Sequence, residues 1–168
     1  MRVISEFNKL EQLNLWETVS ILKRGSFRVH DVVEKVILMG SRGALGGFTD
    51  TSDIDIGLVT RINPNSSDAY LHEILDVTLD HWDSAVHLDL KLMFDTNQCL
   101  MKCMDHDHMV YELCELGHKC LGAFDKTSGR KASESYSAEA LYPIITIWEQ
   151  DVSGPLEIPV KIGSLTLD

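Results

Sequence analysis

The hydrophobic positions of this chain fall into short runs and short faces rather than long stretches. Val36-Ile37-Leu38-Met39 is rich in branched side chains and followed by glycine, which predicts a buried strand. Ile54 to Val59 predicts a second strand, and Val86 to Phe94, alternating more loosely, a third. Elsewhere the spacing is helical. Residues 5–24 place Phe7, Leu10, Leu13, Trp16 and Val19 on a noisy apolar face, with Ser5 as cap and Gly25 as stop. Phe27 to Lys35 reads as either a short helix or an extended link. Leu71, Ile74, Leu75, Leu79 and Trp82 form one clean face, preceded by an Asn63-Pro64-Asn65 turn and capped by Ser66 or Ser67. Further helices are expected from about Asp107 to Leu121, stopped by Gly122, and around Leu141, Ile144, Ile145 and Trp148. Trp16, Trp82 and Trp148 all fall on apolar faces and are expected in the core. Leu156, Ile158, Val160 and Ile162 alternate with Glu157, Pro159 and Lys161 as an edge strand would.

This order of elements predicts an α/β (α+β) fold, a small mixed β-sheet flanked by helices. The polar stretch Asp125 to Ser137, with one glycine and several serines, reads as a linker. It would separate a domain at 1–124 from a C-terminal helix and strand extension at 138–168, packed on the core or on a second subunit. With 168 residues the chain is long enough to bury roughly two thirds of its unfolded surface as one main domain.

The apolar run from Ile54 is the one that demands chemistry, because Asp53 and Asp55 stand inside it. In a strand such residues point to one face, roughly 6.6 Å apart, while Ile54, Ile56 and Leu58 fill the other. Two carboxylates so placed repel each other unless positive charge lies between them. A hard divalent cation answers that need, and Mg²⁺ is commonly held by one or two carboxylates plus substrate phosphates. Upstream, Gly40-Ser41 opens a connection containing Gly43, Gly46 and Gly47. Glycine lets backbone amides approach an anion, so this turn, with a short helix expected at Arg42 to Leu45, is a candidate phosphate cradle.

Met39-Gly40-Ser41, the spacer Arg42 to Ser52, Asp53-Ile54-Asp55-Ile56 and the later His87-Leu88-Asp89-Leu90-Lys91-Leu92 together resemble the signature of the nucleotidyltransferase superfamily. That superfamily includes DNA polymerase beta, the aminoglycoside nucleotidyltransferases and the small minimal nucleotidyltransferases, and the resemblance covers roughly Val32 to Leu121. It implies a nucleotidyltransferase-like core with a short C-terminal extension. It also implies transfer of a nucleoside monophosphate from an NTP, ATP foremost, to a hydroxyl of a small molecule or protein, with release of pyrophosphate. Asp53, Asp55 and Asp89 would be the catalytic and metal-binding residues, holding two Mg²⁺ ions. Gly40 and Ser41 would hold the phosphates, with Arg42 either adding a charged contact or standing exposed on a helix. Asp89 would be base, metal ligand or both. The resemblance allows a homodimer or a HEPN-type helical partner. The alternative is a non-catalytic nucleotide-binding or protein-interaction module of the same fold, as in a toxin–antitoxin-like pair.

Composition narrows the partners. Fifteen basic against twenty-six acidic residues give a net charge of −11, which repels polyanions and argues against non-specific nucleic-acid binding. No run reaches membrane-span length, and residues 1–24 lack a signal-peptide pattern, so a cytoplasmic protein with reduced cysteines is expected. Asp105-His106-Asp107-His108 looks metal-binding, but Cys99, Cys103, Cys114 and Cys120 complete no zinc spacing with it, and a polar helix start explains it better. His87 and Lys91 share a strand face with Asp89 and either meet substrate or form that strand's solvated side.

Overall fold

The computed structural model describes residues 1–95, 119–125, 130–131, 136–137, 143–150, 160–162 and 165–167, with side chains placed in 1–95 and 143–150. In chain order the elements are β1 (Arg2–Val3), α1 (Asn8–Gln12), α2 (Trp16–Arg24), β2 (Arg28–Val29), β3 (Lys35–Met39), β4 (Ile54–Thr60), α3 (Asp68–Leu79) and β5 (Leu88–Asp95). They continue with β6 (Lys119–Asp125), β7 (Arg130–Lys131), β8 (Tyr136–Ser137), β9 (Ile145–Glu149), β10 (Val160–Ile162) and β11 (Leu165–Leu167). The architecture is mixed α/β. Seven of these strands form one sheet in the order β7-β6-β5-β4-β3-β9, with β8 also paired to β6. β4 and β5 run parallel, and every other pairing in the sheet is antiparallel.

One face of the central strands is core. Val36 and Leu38 of β3, Ile54, Ile56 and Leu58 of β4, and Leu88, Leu90, Leu92 and Phe94 of β5 join one cluster with residues of α1, α2 and α3. Burial of so many aliphatic side chains against three helices is the main stabilising term, and it fixes the register of each strand, since a slip by one residue would turn these side chains outward. α3 follows its pattern: Ser67 Oγ caps it by accepting from Tyr70 N at 3.3 Å, and Leu71, Ile74 and Leu75 are fully buried. The Asn63 turn forms too, with Asn65 N donating to Asn63 Oδ1 at 2.8 Å.

Several expectations are corrected. The helix expected over residues 5–24 is broken into α1 and α2, because Asn14 takes a left-handed φ of 59°. The first helix has Phe7, not Ser5, at its cap position, with no side-chain hydrogen bond. Trp16, at the start of α2, is 57% exposed rather than core, whereas Trp82 and Trp148 pack against the core as expected. Phe27 to Lys35 contains the short strand β2, and β3 begins at Lys35. Arg42 to Leu45 forms turns, not a helix. Leu121 and Gly122, expected at a helix end, lie within β6, where Gly122 pairs with Phe94. Lys119 and Cys120, also expected in that helix, begin β6, while its residues before Lys119, together with Cys99, Cys103, Cys114 and the Asp105–His108 cluster, lie outside the described residues. The helix expected around Ile144 to Trp148 is instead β9, antiparallel to β3. Its β-branched residues Ile144, Ile145, Thr146 and Ile147 suit a pleated surface better than a helix. Within the stretch read as a linker, Arg130–Lys131 and Tyr136–Ser137 pair with β6. Among the described residues, no helix is long and apolar enough to cross a membrane.

Gly57 sits in β4 where the second face of the sheet closes: a Cβ there would lie 2.7 Å from Ile37 Cγ1 and 2.8 Å from Met93 Sδ. Gly57→Val should overpack this contact and lower stability by about 1–3 kcal/mol, read as a reduced denaturation midpoint in urea.

Candidate functional site

The parallel pairing of β4 with β5 does what sequence spacing alone could not. It sets Asp55 level with Asp89, so that both side chains leave the same face of the sheet. On the other side of β4, Met39 of β3 is paired with Asp55, which brings the following residue, Gly40, against the acid. The site therefore lies at the end of β3 and the start of β4 and β5, on the face away from the helices.

Gly40 is required there for two reasons. Its φ is +73°, a left-handed conformation, and a Cβ built on it would land on Asp55 Oδ2, well inside van der Waals contact. The Asp55 carboxylate thus rests directly on bare backbone at the mouth of the Gly40-Ser41 turn. That turn is closed by Gly43 N donating to Gly40 O at 3.1 Å.

The two carboxyl groups act on each other across the paired strands. Burial, then a hydrogen bond and repulsion from Asp89, push the Asp55 carboxyl up to about 6, with Asp53 adding a small push and Lys91 opposing it. Lys91, two residues beyond Asp89 and on the same face, places Nζ 3.3 Å from Asp89 Oδ2, with both side chains partly buried. Asp53 adds its charge to this group from just outside β4. It precedes β4, is half exposed, and its Oδ2 stands 4.0 Å from His87 Nδ1. Of the three acids singled out by sequence, Asp55 and Asp89 lie level on paired strands, and Asp53 stands just before β4 beside His87. Among the described residues, no three His, Cys, Asp or Glu side chains are grouped as a closed metal site would require.

Arg42 is placed as neither sequence reading expected. It is 1% exposed, and its guanidinium is engaged in the connection behind the site. Nε donates to Ser52 O at 2.8 Å, Nη2 to Thr49 O at 3.2 Å, and Nη1 meets Glu17 Oε1 at 3.4 Å. Its plane also lies over the Phe48 ring, 4.7 Å from the centroid, and its carbonyl accepts from Thr18 Oγ1 at 2.8 Å. These bonds tie the glycine-rich connection to α2, so that the segment between Gly40 and Asp53 has a fixed path despite the left-handed Gly46 and Gly47 at its tip.

The donor set fits a hard divalent cation at the Asp55–Asp89 pair: two carboxylates at one level, with bare backbone at Gly40 beside one of them, offer oxygen ligands and an open approach. Comparison of the chain with protein-family models, with curated proteins and with solved structures finds no match in any of the three. Of the site residues, Lys91 and His87 were readable only as a choice between substrate contact and solvent. Their period-two relation to Asp89 was the signal, and Lys91 is found in an ion pair with Asp89.

Two outcomes follow from this geometry. Because the folded Asp55 carboxyl titrates near 6 and its ordinary value is 3.8, its ionisation opposes folding in full above about pH 6 and not at all below about pH 4. Asp55→Asn should therefore raise the thermal midpoint at pH 7 and leave it near wild type at pH 4, as scanning calorimetry across that range would show. Gly40→Ala, forced into a left-handed conformation against Asp55, should cost at least about 1–2 kcal/mol in urea denaturation.

Proposed function

We propose that the chain is a metal-dependent nucleotidyltransferase that moves a nucleoside monophosphate from an NTP to an acceptor hydroxyl. The observation that carries this reading is the meeting of Asp55 and Asp89 at one level of the sheet with Gly40 against Asp55. It joins the three parts of the motif that are far apart in sequence: the Gly-Ser turn, the Asp-Ile-Asp run and the later acid.

In this reading Asp55 and Asp89 hold Mg²⁺, with Asp53 at the rim on the nucleotide side. Bound there, the ion would neutralise triphosphate charge and sharpen the acceptor oxygen. The remaining work belongs to the chain. Backbone N–H groups of the Gly40-Ser41 turn and the Ser41 hydroxyl face the β- and γ-phosphates. The fixed path of the Arg42 connection keeps that turn in register with Asp55. The acceptor oxygen attacks the α-phosphorus as the bond from that phosphorus to the bridging oxygen breaks. Pyrophosphate leaves with the electron pair, and the hydroxyl proton passes to a carboxylate oxygen of Asp89. Little covalent chemistry is asked of the protein, since such transfer is chiefly positioning and charge neutralisation. The charge of −11 fits a small-molecule or basic protein acceptor better than a nucleic acid.

The approach of Asp53 to His87, 4.0 Å away, favours a second reading in which a nucleotide is bound but not transferred. Pyrophosphate separates the two. With Mg²⁺ and an NTP at about a hundredfold over its Kd, the thermal midpoint should rise by several degrees, corresponding to about 2.7 kcal/mol. Pyrophosphate should appear with one of the four NTPs and a hydroxyl-bearing small molecule or protein. Asp55→Asn and Asp89→Asn should lower its release on the order of a hundredfold or more. Stabilisation without pyrophosphate from any acceptor would establish the binding module instead.

A further inference from the structure

Lys91 is the cation the site already contains. Its ammonium lies 3.3 Å from Asp89 Oδ2, on the face that Asp55 and Asp89 share, with 28% of its side chain exposed against 34% for Asp89. β5 sets this arrangement, since Asp89 and Lys91 are two residues apart on one strand and project together. A lysine held so close is a flexible point charge on a long stem, suited to changing partners without moving the backbone.

We propose that Lys91 is a resident counter-ion of the Asp55–Asp89 pair, displaced from Asp89 when a divalent cation binds and then free to contact the phosphates of the bound triphosphate. This rests on the proposed cation and triphosphate site and adds a residue to it. Electrostatics dictates the direction of each effect. While Lys91 neutralises Asp89 it competes with an incoming cation, so the ammonium weakens binding of the metal alone. Once the anionic triphosphate is present, the same ammonium is an attractive partner for it. A lysine that served only to support the strand would produce neither effect, and one that bound only phosphate would not alter metal affinity.

The two opposed signs make the test. Mn²⁺ alone and Mg²⁺ with a non-hydrolysable ATP analogue are titrated separately by calorimetry into wild type, Lys91→Met, Lys91→Arg and Asp55→Asn. Lys91→Met should bind Mn²⁺ alone a few-fold more tightly, the size expected of a half-exposed ion pair, and the analogue about tenfold more weakly. Lys91→Arg, which keeps the charge, should stay near wild type in both, and it separates loss of charge from any general damage to the fold. Unchanged or weaker Mn²⁺ binding by Lys91→Met, with Asp55→Asn abolishing it, would overturn the counter-ion role and leave the proposed cation site standing. Tighter Mn²⁺ binding with an unchanged affinity for the analogue would overturn the handover to phosphate. If wild type and Lys91→Met both fail to bind Mn²⁺, the cation site itself is wrong and the counter-ion proposal falls with it.

Discussion

The parallel register of β4 and β5 is the constraint on which the rest of the site depends. It places two aspartates, separated by a helix and two connections in the chain, side by side on one face. Placing like charges together is unfavourable, and the register can hold them there only because it is fixed from the other face. Ile54, Ile56 and Leu58 from β4 and Leu88, Leu90 and Leu92 from β5 are buried against the helices, so neither strand can slip to part the acids without exposing that layer. The hydrophobic core thus opposes the repulsion of the carboxylates, while burial first and Asp89 second hold the Asp55 carboxyl above its ordinary range.

Backbone geometry completes what the core begins. Gly40 ends β3 in a conformation that leaves room for Asp55, and any side chain there would push the carboxylate aside. Arg42 then turns inward and fastens the connection to Ser52, Thr49 and Glu17. A buried arginine is tolerable because carbonyls, a carboxylate and an aromatic face meet its guanidinium together. Its position two residues from Gly40 makes it a support for the turn, which is how a residue that looked like a phosphate ligand contributes from a buried position.

Much of this was legible in the sequence where local rules and burial agree. The strands at Val36 and Ile54, the Ser67 cap and the α3 face are patterns whose spacing matches their burial. The Asp89 strand was visible because leucines at Leu88, Leu90 and Leu92 alternate with the polar residues Asp89 and Lys91. What failed were segments whose pattern permits two periods. Ile144, Ile145 and Trp148 fit a helical face, yet the run of β-branched residues pairs with β3 as a strand, so tertiary pairing overrode spacing. Asn14 shows the reverse limit: a single residue able to take a left-handed φ divides a helix whose apolar face would have continued through it. The approach of Asp53 to His87 was hidden for a related reason, since it arises from the pairing of β4 with β5 rather than from spacing within one strand.

Charge is treated differently at the two ends of these strands. Away from the site, Arg61 and Glu34 form a closed bidentate pair, with Nε 2.5 Å and Nη2 2.8 Å from the carboxylate oxygens. Asp95 adds a second negative charge near Arg61 there. At the other end, among the described residues, Asp55 and Asp89 lie level with each other and Lys91 is paired with Asp89, with Asp53 and its His87 neighbour beside them. Like charges held side by side and partly buried are unfavourable for folding on their own. Two carboxylates level on one face with a lysine beside them are the arrangement on which the proposed cation site rests. That is the physical ground for reading this end of the sheet as the working one.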